Sequence, residues 1–272
     1  MEKLDANGYE TDKGIHGLLG IYNEKFQLLK DNEVKLLEIG ILKGGSLLMW
    51  RDYFKKGIIA GLDCNQVTLD DNTGRVHVYR GFQQDTAILD TIRTECARDG
   101  FDIIIDDASH IAELTYYSFW YLFDNHLKPG GIYVIEDWGV GYWDKWTDGK
   151  KYYLKLPRDY KTYKVNLIDR FLGYIYKISN KKSPSSKSSA FLRRGCDFIT
   201  AIKRKKKFKS HEYGMVGLIK QLIDEVGMGN LTAPGHGTID NWRGSIFKSI
   251  EIFPSLVIIQ KDETAPLKIL NS

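Results

Sequence analysis

The sequence predicts an α/β domain on a doubly wound, mostly parallel sheet, and three observations predict it. Short apolar runs alternate with stretches of helical spacing. The runs are apolar throughout, not at every second residue, which is the pattern of strands covered on both faces. Several of them stop at acid: Glu38, Asp63, the pair Asp106 and Asp107, and the pair Glu136 and Asp137. Ligands gather at the carboxyl ends of the strands in such sheets, so these acids are expected to converge on one rim.

Val34 to Ile39 is short and apolar between charged neighbours. Gly40, Gly44 and Gly45 then open a helix that runs through Trp50 and Phe54. Gly57 to Leu62 is a second strand ending at Asp63, and Val76 to Tyr79 a third before Gly81. Ile88, Leu89, Ile92 and Cys96 give residues 86–97 helical spacing, and Phe101 to Ile105 is a fourth strand. A helix through Leu114, Tyr117, Phe119 and Leu122 leads to Lys128-Pro129-Gly130-Gly131, read as a turn, and then to a fifth strand, Ile132 to Ile135. After Trp138 the alternation is lost. Residues 141–212 read as an insertion, with amphipathic spacing from Val165 to Ile175, a loop tip at Ser183-Pro184-Ser185-Ser186 and a charge run from Lys203 to Lys207. Met215 to Val226 reads as a helix. Ser249 to Gln260 then reads as two strands around Pro254-Ser255, an antiparallel pair closing the edge of the sheet.

A chain of 272 residues, 43% hydrophobic and 27% charged, suits one folded core with additions and excludes a disordered or fibrous protein. Cys64, Cys96 and Cys196 lack the close pairing of zinc or redox sites and point to a reducing compartment. No apolar run approaches the ~20 residues that span a bilayer, and the first residues lack the apolar stretch of a secretory signal. The expected location is therefore the cytoplasm. Residues 177–209 hold 12 Lys or Arg against a single acid, Asp197, whereas the whole chain carries only +4. This asymmetry excludes a uniformly basic nucleic-acid binder. It leaves one segment to an anionic partner or a membrane surface, which would make the protein peripheral, or to solvent.

The glycine turn Glu38-Ile39-Gly40-Ile41-Leu42-Lys43-Gly44-Gly45-Ser46 lacks both the G-x-G-x-x-G spacing of dinucleotide sites and the GK[ST] of phosphate loops. Glycine admits a ligand close to the backbone, and Glu38 offers an acceptor for a cationic amino group such as that of a methionine moiety. Asp63 could take two ribose hydroxyls, and Gln83-Gln84-Asp85 an adenine edge. Three carboxylates at adjacent strand ends, Asp107, Glu136 and Asp137, would repel unless a cation sat among them, and hard oxygen donors favour Mg²⁺, Mn²⁺ or Ca²⁺. His110, one helical turn beyond Asp107, is the candidate general base. Helix capping by Asp107 and Ser109 is the plainer alternative.

The ordered string Leu36-Leu37-Glu38-Ile39-Gly40, Gly44-Gly45-Ser46, Gly61-Leu62-Asp63, Phe101 through His110, and Gly130 through Asp137 resembles the metal-dependent macrolide-sugar O-methyltransferases of the mycinamicin and macrocin type. Upstream, Thr11-Asp12-Lys13-Gly14 and His16 are similar to the same family. The resemblance covers about residues 8–140 and implies the seven-stranded class I methyltransferase sheet with an insertion before the last helix and strand pair. It implies S-adenosylmethionine and Mg²⁺ (or Mn²⁺) as cofactors, with Asp107, Glu136 and Asp137 on the metal and His110 deprotonating a sugar hydroxyl. Glu38, Gly40, Gly44, Ser46, Asp63, Gln84, Asp85 and Asp106 would serve the cofactor. Residues 1–30 would be a cap, 31–140 the cofactor and metal core, 141–212 an acceptor-recognition insertion and 213–272 the completing helix and strands. Phe82, Ala108 and the insertion depart from the family pattern. The acceptor would be a glycan, glycolipid or glycosylated natural product, and a homo-oligomer is compatible. The alternatives are an RNA or other small-molecule methyltransferase using the basic insertion, and a noncatalytic binding module.

Overall fold

The computed structural model describes residues 3–152, 210–231 and 244–267, with scattered helical positions between Leu167 and Gly195. Two compact units divide the chain: Met1–Lys151 with His211–Ser272, and Tyr152–Ser210. The expected amphipathic helix from Val165 falls partly, and the Ser183-Ser186 loop and the Lys203-Lys207 run fall wholly, outside the described residues. The separate unit begins later than the expected insertion, because residues 141–151 pack with the first unit.

That first unit is an open seven-stranded sheet of order β3-β2-β1-β4-β5-β7-β6. Strands β1 (Lys35–Ile39), β2 (Ile58–Asp63), β3 (Val76–Arg80), β4 (Phe101–Asp106) and β5 (Leu127–Glu136) run parallel. The pair β6 (Phe247–Ile252) and β7 (Leu256–Lys261) is antiparallel, with β7 against β5. Helices α1 (Leu19–Phe26), α2 (Gly45–Tyr53), α3 (Thr86–Cys96), α4 (Ala112–Asn125) and α5 (Gly214–Leu231), with a 3₁₀ turn at Trp138–Tyr142, cover it. This is the class I methyltransferase fold.

Side chains on a strand alternate between faces, and the core divides accordingly. Leu36, Ile103, Ile105 and Val134 pack toward α1 and α2, against Phe26, Trp50 and Phe54. Leu37, Ile39, Ile104, Tyr133 and Ile135 pack toward α3, α4 and α5, against Leu89, Phe119 and Leu222. Both layers are apolar, so the central strands carry no polar face, as the sequence predicts. One expectation fails: Lys128 to Gly131 is not a turn before the strand. Phe101 pairs with Leu127 and Ile103 with Ile132, so these four residues bulge out within β5, and Gly130 takes the left-handed conformation there (φ +75°).

Candidate active site

The carboxyl ends of β1, β2, β4 and β5 surround a cavity of about 880 Å³. Its floor is the turn after β1. Gly40 has φ +83°, and a Cβ there would stand 2.1 Å from the carbonyl oxygen of Asp107, so only glycine lets the two strand ends meet. Gly40, Ser46, Asp63 and Gln84 line the cavity as expected. Asp63 also ties the turn together: Oδ2 accepts from the amides of Ile41 and Leu42, each at 3.0 Å, and Oδ1 from that of Asn65 at 2.8 Å.

Other expected cofactor residues lie behind the lining. Gly44 is the N-cap of α2, and the Asp85 carboxylate caps α3 by accepting from Ala87 N at 3.1 Å. Asp106 is buried, accepting from the Ser118 hydroxyl at 3.1 Å and the Tyr133 hydroxyl at 3.3 Å, and burial raises its pKa to about 6. Glu38 does not reach the cavity either. Its Oε2 accepts from the Trp50 indole at 3.0 Å and its Oε1 pairs with Lys13 at 3.0 Å, so a protein ammonium already takes the acceptor expected for a ligand's.

Lys13 is the main residue that sequence reasoning left without a role. Only 1% exposed, its ammonium lies 3.0 Å from Glu38, 2.9 Å from Asp107 Oδ2 and 2.6 Å from Glu136 Oε1, which also accepts from the Tyr22 hydroxyl at 2.5 Å. Burial alone would lower the lysine pKa, but Glu136, Glu38 and Asp107 outweigh it and hold it well above the ordinary value. Burial in turn raises Asp107 and Glu136 above the usual carboxylate range, against the lowering effect of Lys13. Repulsion among strand-end carboxylates therefore does call for a cation, and on the inner side the protein supplies its own.

On the cavity side the arrangement is open. His110 Nε2 stands 3.8 Å from Asp107 Oδ1 and 3.9 Å from Asp137 Oδ2, beyond hydrogen-bond length, and one donor atom from each of the three residues falls within 4.8 Å of the others. Two hard carboxylate oxygens beside an open gap fit a divalent cation, with the imidazole next to it. His110 and Asp137, like Leu42, have positive φ (+51° and +52°), uncommon outside glycine though His and Asp tolerate it better than most residues. The surroundings hold them there. Asp137 N donates to Ser255 O at 2.8 Å, and the Trp146 indole donates to His110 O at 3.3 Å. Asp148 caps α4 just beyond, accepting from Ala112 N at 2.7 Å. Gln83, buried next to the lining residue Gln84, donates to Ser118 at 3.2 Å and accepts from Ser109 N at 3.2 Å, bracing the loop that carries His110. Neither Asp107 nor Ser109 is the cap of α4; Ser109 Oγ closes a turn just before it, accepting from Ile111 N at 3.2 Å.

Fold and rim together define a class I methyltransferase scaffold with an acidic, histidine-bearing cleft. No family model matches the chain. It is similar to demethylmacrocin O-methyltransferase from Streptomyces fradiae, 40% identical over 145 residues, which is 50% of this chain and 35% of that one. It is also similar to mycinamicin VI 2''-O-methyltransferase from Micromonospora griseorubida (38% identical, 47% of this chain and 33% of that one). A third relative is 8-demethyl-8-alpha-L-rhamnosyl tetracenomycin-C 2'-O-methyltransferase from Streptomyces olivaceus, 37% identical over 49% of this chain and 36% of its own. The chain thus spans about a third of the length of these relatives. Among solved structures, a methyltransferase of the mycinamycin biosynthetic pathway in complex with Mg and SAH superposes with a TM-score of 0.56 at 26% identity, over 90% of this chain and 48% of that one. The likeness expected from the motifs is therefore found in both sequence and structure.

Proposed function

We propose that this chain is an S-adenosylmethionine- and Mg²⁺-dependent O-methyltransferase acting on a hydroxyl of a sugar moiety, with His110 as general base. The observation that carries this reading is the placement of His110 Nε2 between Asp107 and Asp137 beside the glycine-turn cavity. The relatives, one of them named for a rhamnosyl substrate, support a glycosylated acceptor.

Asp107 and Asp137, with the second oxygen of Glu136, would hold the divalent cation. When bound, it would supply Lewis-acid polarisation of the acceptor hydroxyl. His110 accepts the hydroxyl proton, as a neutral imidazole can. Gly40, Ser46, Asp63 and Gln84 would contact the methyl donor, while Gly44, Asp85, Asp106 and Glu38 support that surface from behind. Trp146, its ring centroid 6.1 Å from that of His110, and Trp143, at 6.2 Å from Trp146, offer aromatic faces for the acceptor ring. In domain terms, residues 1–30 cap the cavity, 31–140 and 213–272 form the core, and 141–212 serve acceptor recognition. The basic run at 177–209 would meet an anionic partner.

Calorimetry with S-adenosylhomocysteine tests the first requirement. Binding is expected with and without Mg²⁺, because Gly40, Ser46, Asp63 and Gln84, the lining residues assigned to the methyl donor, are not those assigned to the metal. No binding in either condition would leave a fold without the enzyme.

A further inference from the structure

Lys13 plays no part in the chemistry above, yet its ammonium is buried against two of the three residues assigned to the metal. It donates to Asp107 and Glu136 and pairs with Glu38, so three carboxylates from three strand ends surround it. Asp107 faces both ways: Oδ2 receives Lys13, and Oδ1 points to His110 across the open gap. The segment carrying Lys13 is also a wall of the cavity, which Glu10, Thr11, Asp12 and Ile15 line. It lies flat on α2, where a Cβ on Gly45 would stand 2.3 Å from the Glu10 carbonyl oxygen, and the Tyr9 hydroxyl anchors it to Asp52 at 2.8 Å.

We propose that Lys13 is a positioning residue: an internal cation that holds Asp107 and Glu136 from behind and limits how strongly the cluster draws an external divalent ion. The inference rests on the metal reading above. One ammonium cannot neutralise three carboxylates and Asp137, so the cluster still attracts a divalent cation. An ammonium and a metal sharing Asp107 repel each other strongly in buried surroundings. Lys13 therefore keeps the ion on the cavity side, next to His110, and out of the inner space between Glu38 and Glu136 Oε1. The same contact ties the N-terminal wall to the metal carboxylates.

The test is calorimetric titration of Mn²⁺ into the full chain, alongside methyl-transfer rates, for the wild type, Lys13→Met and Asp137→Asn. Lys13→Met is expected to bind Mn²⁺ about tenfold more tightly, since a nearby like charge is gone, and to transfer methyl groups more slowly. A lysine needed only for folding would not produce tighter metal binding together with slower transfer. Equal or weaker Mn²⁺ binding by folded Lys13→Met overturns the proposal. If that variant folds only with Mn²⁺, recovery at micromolar ion supports the proposal and failure at millimolar ion overturns it. The metal reading has its own arm: a wild type that binds no Mn²⁺, or an Asp137→Asn variant that binds it unchanged, removes that reading whatever Lys13→Met does.

Discussion

The two sides of one carboxylate cluster are built differently. On the inner side, Glu38 and the Oε1 of Glu136 are closed off by protein donors: the Lys13 ammonium, the Tyr22 hydroxyl and the Trp50 indole, all within 3.0 Å. On the outer side, His110 Nε2 stands 3.8 Å from Asp107 Oδ1 and 3.9 Å from Asp137 Oδ2, and all three residues face a cavity. Residues of one chemical type at neighbouring strand ends thus do opposite work. Where the donors belong to the protein, the carboxylate serves the fold; where a gap remains, it is available for chemistry.

Substitutions should separate the two sides. The largest effect is expected at His110: Ala there should lower methyl transfer by roughly 10²–10⁴-fold, the usual contribution of a general base, while S-adenosylhomocysteine binding and thermal stability stay close to wild type. Retained transfer would remove His110 from the mechanism. On the inner side the order should reverse. Tyr22→Phe or Trp50→Phe leaves a buried carboxylate short of one donor and should cost about 1–3 kcal/mol of stability, read as a lower Tm. An inner substitution that leaves Tm unchanged, or His110→Ala lowering it more than these do, would erase the distinction.

A separate, pH-dependent effect belongs to a buried histidine away from the cluster. His126 Nε2 lies 2.9 Å from Asp90, and burial pulls its pKa down to about 4. The folded value lies below the unfolded one, ~6.5, so the native state binds fewer protons. Its contribution is complete above the unfolded value and is lost as pH falls from there toward 4, with a slope of at most about 1.4 kcal/mol per pH unit. Denaturant midpoints across that range should show the slope, and His126→Gln should flatten it.

Much of this was legible in the sequence. Continuous apolar runs located five parallel strands, four of them with acid at the end, and Pro254-Ser255 located the closing pair, because strand burial and turn chemistry are local properties. Asp107 and Asp137 were legible for the same reason, since each directly follows a strand, and His110 lies three residues beyond Asp107. The direction of each side chain was not. Asp106 and Asp107 are adjacent, yet the first turns inward to Ser118 and Tyr133 and the second toward His110. Lys13 was legible only as part of a motif, since a lysine beside glycine in a polar segment has the composition of a solvated loop. Its partners Glu38, Asp107 and Glu136 come together only when the strands assemble. The Lys128-Gly131 bulge escaped because Pro-Gly-Gly marks a break in a strand without saying whether the strand resumes pairing.

The central claim is metal-assisted methylation of a sugar hydroxyl, and one measurement meets it directly. The chain is incubated with methyl-labelled S-adenosylmethionine and a pool of rhamnosides and related glycosides, with Mg²⁺ or with chelator, and the recovered sugars are read by mass spectrometry. Label is expected in an O-methyl sugar only with Mg²⁺ and only with His110 intact. Label that appears equally under chelation and in His110→Ala would contradict it.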